Sequence, residues 1–139
     1  MDEADGLDQI TRRIIGAAVA VHRVLGPGLL ESAYQVCLAM QLAEQGLEFD
    51  QQVSLPIVYR GRQLDCGYRL DFIVEGQVIV EIKAIEKLDA IHHAQLLSYL
   101  RLSGRTVGLL INFHEPVLKS GVRRIVNNFP DSASSASRR

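Results

Sequence analysis

Val78-Ile79-Val80-Glu81-Ile82-Lys83-Ala84 is the stretch on which the reading of the fold turns. Five apolar or small residues surround one acid and one base. Along a strand the side chains alternate between faces, so Glu81 and Lys83 share one face while Val80, Ile82 and Ala84 share the other. A run this apolar predicts a strand buried on both faces. Two ionisable groups on such a strand require a reason, because an unpaired buried charge is costly. Either they pair with each other or with a neighbour, or they face a metal ion.

Working outward from that strand, Leu88 to Ser103 predicts a helix closed by Gly104, and Thr106–Asn112 a second buried strand. Val117–Val126 adds a last short strand or a helical turn. On the other side, Gln63–Glu75 reads as a strand joined to the central one by a hairpin at Gly76. The length of that hairpin decides where Asp71 points. A three-residue loop, Glu75-Gly76-Gln77, sets Asp71 opposite Glu81 on one face. A two-residue loop would set it opposite Val80 and turn the two acids to opposite faces. Phe49 to Arg60 has strand character, and Pro56 calls for an edge position or a bulge.

Farther out, Leu7–Leu25 predicts an amphipathic helix, with Ile10, Ile14, Ala17, Val21 and Val24 at helical spacing. His22 lies near its end, where a cation suits the helix dipole. Gly26-Pro27-Gly28 turns the chain. It lacks the lysine and hydroxyl of a phosphate-binding loop and reads as a helix connection. A second helix runs from about Leu29 to Gln45. It is apolar nearly all round, which predicts burial on most sides. Glu31 falls in its first turn, where the dipole alone favours an acid by about 0.3–1 kcal/mol.

Length and charge bound the rest. A chain of 139 residues, 47% hydrophobic and 22% charged, suits one domain around a real core. We expect residues 7–129 to form it, between a disordered 1–6 and a disordered, Ser-rich tail at 130–139. A formal net charge of −1 gives no global pull toward nucleic acid or anionic membrane. Between Thr11 and Phe129, 13 Lys and Arg face 11 Asp and Glu, leaving room only for a local basic patch. No apolar stretch is long enough to span a bilayer, and no basic start precedes an apolar segment. Cys37 and Cys66 read as buried free thiols of a cytoplasmic protein, neither a disulfide framework nor a zinc site. The fold class expected is α/β, a mixed central sheet flanked by helices.

Polar side chains mark these elements in a definite order. Asp71 lies on the strand before the central one and Glu81 and Lys83 lie on it. Gln95 and Tyr99 stand four apart on one face of the following helix. Carboxylates and a strand carbonyl are hard oxygen ligands of the kind Mg²⁺ takes, usually with several waters. A lysine beside such an ion could stabilise charge developing on a phosphate. Taken singly, each residue has a plainer reading. Asp71 could pair with Arg69 or Lys83, Gln95 and Tyr99 could be the polar edge of a surface helix, and His92 and His93 face solvent.

Gly67-Tyr68-Arg69-Leu70-Asp71, Glu81-Ile82-Lys83 and Gln95-x-x-x-Tyr99 together resemble the PD-(D/E)xK nuclease superfamily in its RecB-like form. Gly28-Leu29-Leu30-Glu31-Ser32-Ala33-Tyr34 further resembles the small GxxExxY proteins of that superfamily, as do Val21-His22, Ala94–Leu97 and Asn112-Phe113. The likeness spans about Ile10 to Asn127. It implies a restriction-endonuclease-like core that cuts DNA or RNA with Mg²⁺ or Mn²⁺. By the same likeness Asp71, Glu81 and the Ile82 carbonyl would be metal ligands, and Lys83 the catalytic lysine. Glu31 would hold a water on that ion or a second ion, and Gln95 and Tyr99 would support the lysine or touch the substrate backbone. Members that act on DNA often carry extra basic, gripping elements, and the sequence shows almost none. The rival expectation is a catalytically silent module on the same fold. It would bind nucleic acid or a protein partner, with a homodimer as one form.

Overall fold

The computed structural model describes residues 3–128. The disorder expected at 130–139 lies outside them. Two helices come first, α1 (Glu3–Leu25) and α2 (Glu31–Glu44). Then follow β1 (Phe49–Ser54), β2 (Ile57–Tyr59), β3 (Arg62–Leu64), β4 (Arg69–Val74) and β5 (Val78–Lys83). Helix α3 (Ala90–Ser103), strand β6 (Val107–Asn112), a 3₁₀ turn at Leu118–Gly121 and strand β7 (Val122–Val126) complete the chain. Helix α1 already runs through residues expected to be loose, and the last segment is both a helical turn and a strand.

Five strands form one sheet in the order β1-β4-β5-β6-β7, while β2 and β3 form a separate two-stranded ribbon. All neighbours are antiparallel except β5 and β6, which α3 joins as a parallel pair. Mixed sheet and flanking helices make the expected α/β fold. Every residue of β6 is buried, and so is every residue of β5 except Lys83, as befits a parallel pair covered on both faces. Helices α1 and α2 pack on one face with Phe72, Val74, Val78, Val80 and Ile82. Helix α3 packs on the other with Ile73, Ile79 and Leu110.

The β4–β5 hairpin has the three-residue loop. Val74 pairs with Val78, and Glu75 and Gly76 both take positive φ, 55° and 65°. Two expected long strands are each broken. Pro56 offers no N–H to a ladder, and there the chain leaves the sheet, makes the ribbon and returns at Arg69. Helix α2 is not buried on most sides: only Tyr34, Leu38 and Leu42 are fully buried, whereas Val36 and Met40 are exposed. The sheet and α1 cover one stripe of it, flanked by half-buried Cys37 and Ala39, and Val36 and Met40 face outward. Cys37 is half-buried and Cys66 lies exposed between β3 and β4, so only the first fits the expected interior thiol. His22 is buried, its Nε2 2.7 Å from the Glu115 carbonyl, and ties α1 to the loop after β6. His92 is turned back on its own helix, where Nδ1 accepts the Asp89 N–H at 2.9 Å.

Candidate functional site

Three local devices bring the marked residues to one end of the sheet. The first is the α1–α2 connection. Gly26 and Gly28 take φ of 67° and 104°, which only glycine adopts without strain. Tyr34 is fully buried, stacked 4.5 Å from the Phe113 ring. Its hydroxyl donates to the Gly26 carbonyl at 2.6 Å and accepts the Leu29 N–H at 3.1 Å. The tyrosine thus clamps the loop that delivers Glu31 into the first turn of α2. The second device is the exit from β5. Buried Asn112 accepts the Ile85 N–H and donates to the Ile85 carbonyl, while the Phe113 N–H donates to the Lys83 carbonyl. Lys83 is thereby held on a fixed backbone.

The third device is a change of phase in β1 and β4. Residues two apart in a strand normally share a face. Yet Phe72 and Val74 pack under α1 and α2, while Leu70 packs under α3. In β1 the same switch separates Phe49 from Val53. Between the switched residues lie Asp71 and, across from it in the β1–β4 register, Gln52 at φ 52°. A left-handed glutamine inside a strand is a local distortion of the kind that re-aims side chains beside functional sites. Because of it, Asp71 stands where the two helical layers meet, within electrostatic reach of Glu31 on α2 and Tyr99 on α3.

At this point side chains replace the ladder between β4 and β5. Regular pairing ends at Phe72 and Val80. Next in register, the Asp71 N–H donates to Glu81 Oε2 and the Ile82 N–H donates to Asp71 Oδ2, both at 2.8 Å. The two acids are locked together by reciprocal bonds to each other's strand. Glu81 is 6% exposed. Burial, then the Asp71 charge, pushes its carboxyl up to about 8, against the hydrogen bond from Asp71 N–H and the pull of Lys83. Burial likewise raises Asp71, opposed by its bond from Ile82, by Lys83 and by a hydrogen bond with Gln52. Glu31 is raised by burial and by Asp71 and lowered by Lys83. Half-buried Lys83 is therefore the cation common to all three acids. Burial raises the Tyr99 phenol, and the charges of Glu81 and Asp71 add to it.

Glu31, Asp71, Glu81, Lys83 and Tyr99 thus come together, and Ile82 contributes a backbone amide to the pair. Gln95 stands exposed on α3, with no hydrogen bond to the acids. Two residues that sequence reasoning passed over complete the network. Gln35 donates to Glu31 Oε2 at 3.3 Å and accepts from Gln52 Nε2 at 3.2 Å, so Glu31 connects through Gln35 and Gln52 to Asp71. The spacing of four between Glu31 and Gln35 is a legible helix pair. Nothing in the local sequence marks Gln52, since glutamine has no preference for the left-handed region. Among the described residues, no group of three or more His, Cys, Asp or Glu side chains is arranged to hold a metal ion.

The sequence model of the PD-(D/E)XK nuclease superfamily matches residues 8–125. No curated protein and no solved structure matched the chain. The matched span runs from α1 into β7 and contains every site residue named above. The mixed sheet between helices is consistent with the fold of that superfamily. The chain belongs to the PD-(D/E)XK nuclease superfamily.

Proposed function

We propose that this protein is a nuclease of the GxxExxY branch, hydrolysing phosphodiester bonds of DNA or RNA in the cytoplasm with Mg²⁺ or Mn²⁺. The observation that carries the reading is the Asp71–Glu81 clasp with Lys83 and Glu31 in electrostatic contact with it. Nucleases of this superfamily typically use a divalent metal. The donor set fits one chemically. All the candidate ligands are hard oxygens, and the charge of Asp71 raises the proton affinity of both Glu31 and Glu81, to which Glu31 adds. A divalent cation relieves that repulsion. Mg²⁺ in particular binds through one or two carboxylates and keeps several waters, so a complete protein cage is not required.

Asp71, Glu81 and the Ile82 carbonyl would hold the ion, with Glu31 as a further ligand. Once bound, the ion supplies Lewis acidity toward phosphate and water. The chain's own contribution is positional and electrostatic. Reciprocal bonds fix the two carboxylates before any ligand arrives, so little reorganisation is needed. Lys83 presents a cation on the same face and would meet charge developing on the phosphate oxygens. Tyr99 closes the α3 side of the cluster, and Gln95, exposed one turn earlier, is free to meet the substrate backbone.

A second reading is a silent interaction module, alone or as a homodimer. It is favoured by the fact that one oxygen of each clasped carboxylate is already taken by a backbone amide. A cleavage assay on single- and double-stranded DNA and RNA, with Mg²⁺, Mn²⁺ or chelator, separates the two. Ion-dependent cutting supports the nuclease. No cutting and no divalent-ion binding under any condition supports the module. Glu31→Gln tests the extra ligand: reduced cleavage with an unchanged melting temperature places Glu31 in the site, whereas a small stability loss alone leaves it a dipole contact.

A further inference from the structure

The β2–β3 ribbon carries a surface feature that the acid cluster does not use. It leaves the sheet between Ser54 and Arg69, which pair at the ends of β1 and β4. Because β4 and β5 are antiparallel, the ribbon springs from the same end of the sheet as Glu81 and Lys83. Every residue from Val58 to Arg69 is exposed. Those exposed include Val58, Tyr59 and Tyr68 at 62%, 60% and 43%. A two-stranded ribbon without a covering layer is marginal in water, and uncovered aromatic rings on it call for an occupant.

Charge says which occupant. The ribbon and its root carry Arg60, Arg62 and Arg69 against one acid, Asp65, in a chain whose net charge is −1. Asp65 is engaged in its own turn, where Oδ1 accepts the Gly67 N–H at 2.9 Å. Tyr59 and Arg62 are cross-strand partners and share a face. Arg60 lies with its guanidinium 5.5 Å from the centre of the Tyr59 ring. It also occupies the tip in a left-handed conformation, φ 54°, next to Gly61 at 76°. Asparagine, aspartate or glycine suits such a two-residue turn better, so an arginine there is kept at a conformational cost. At the root, Tyr68 meets the edge of Tyr99, the ring that closes the acid cluster, with centroids 5.9 Å apart.

We infer that the β2–β3 ribbon is an arm for single-stranded nucleic acid, stacking unpaired bases on Tyr59 and Tyr68 and holding phosphates with Arg60, Arg62 and Arg69 as the strand enters the acid cluster. Exposed ring faces favour unpaired bases, because a duplex keeps its bases stacked on each other. Arginines interleaved with them track the backbone. The inference rests on the nuclease reading for its direction toward the cluster, but its test does not depend on cleavage.

Binding of labelled single-stranded DNA, single-stranded RNA and blunt duplex to the full chain, followed by fluorescence anisotropy in chelator, provides that test. Wild type should prefer single strands, and the DNA and RNA arms show which backbone it takes. Tyr59→Ala should weaken single-strand binding about tenfold or more, and Tyr59→Phe should restore it, since stacking needs only the ring. Arg62→Ala should weaken binding and flatten its salt dependence by about 0.7 in the log–log slope. Both side chains are exposed, so melting temperatures should not move, and unchanged melting curves verify folding. Single-strand binding by Tyr59→Ala and Arg62→Ala equal to wild type overturns the arm, as does a wild type that prefers duplex or binds no polynucleotide. Loss of binding in these variants, beside a wild type that never cuts, upholds the arm and removes the nuclease. Normal cutting and binding by the variants does the reverse.

Discussion

Lys83 and the two clasped acids make separable contributions at the scale of single residues. Asp71→Asn removes the charge of a proposed ligand and should weaken Mg²⁺ binding and cleavage together. Lys83→Met keeps much of the aliphatic stem and removes the charge. Its metal affinity should hold or rise, because a cation beside a cation is lost. Its cleavage should still fall by about 10²-fold or more, the scale of removing one electrostatic stabiliser. Calorimetric titration and single-turnover kinetics read the two quantities independently, and a Lys83→Met variant that cleaves normally refutes the role. Glu81 gives a prediction in pH. Its folded carboxyl titrates near 8, above the ordinary 4.5. The native state therefore holds a proton that the unfolded chain releases, and stability is lost as pH rises through that interval. Asp71 and Glu31, also raised, act with the same sign. In chelator, denaturant unfolding from about pH 5 to about pH 9 should show wild-type stability falling by more than about 1 kcal/mol. Glu81→Gln should flatten most of that slope; an equal slope in the variant would assign it elsewhere.

Among the elements, the α1–α2 connection is the most exposed to a single change. Tyr34 stacks on Phe113 and holds both sides of the glycine turn through one hydroxyl. Tyr34→Phe keeps the ring and deletes both hydrogen bonds, leaving the Gly26 carbonyl and Leu29 N–H to find other partners. A loss of about 1–3 kcal/mol in chemical denaturation is expected. Because the same loop sets the first turn of α2, cleavage should fall beyond what the melting change explains at the assay temperature. A variant as stable and as active as wild type would mean that the hydroxyl only decorates the loop. The β1–β4 pair works differently. Its matched distortion at Gln52 and Asp71 costs regular pairing but turns Asp71 to the seam between the layers, where α2 and α3 both reach it.

For the whole molecule, Asp71 raises both Glu31 and Glu81, and on the proposed reading a bound cation would relieve that repulsion. A ligand that binds only the native state stabilises it by about 2.7 kcal/mol at a hundred times its dissociation constant. Saturating Mg²⁺ or Mn²⁺ should therefore raise the melting temperature of wild type by several degrees. The rise should grow as pH approaches 8, where Glu81 gives up its proton more readily. Differential scanning fluorimetry of wild type and Asp71→Asn, with ion and with chelator, measures it. No shift in wild type at any pH would count against a divalent site and for the interaction module.

The sequence by itself determined the parts that depend on local pattern. The alternation in Val78–Ala84 placed Val80 and Ile82 on one side and Glu81 on the other, and they lie there. Glycines and helical spacing set most element boundaries, whereas the hairpin length, left open between two and three residues, was decided by the structure, which pairs Val74 with Val78. Only the tertiary structure decided what depends on distant partners. The exposed side of α2 could not be read from its composition, because apolar spacing does not say how many layers cover a helix. The ribbon hid within two apparent strands: a turn at Gly61 is legible between them, but where the chain leaves the sheet after Ser54 and rejoins it at Arg69 depends on how β1 and β4 pair. The shift of phase at Gln52 has no local signature. It exists because β1 and β4 must pack Phe49 and Phe72 on one layer and Val53 and Leu70 on the other, a constraint that arises only when both layers are in place.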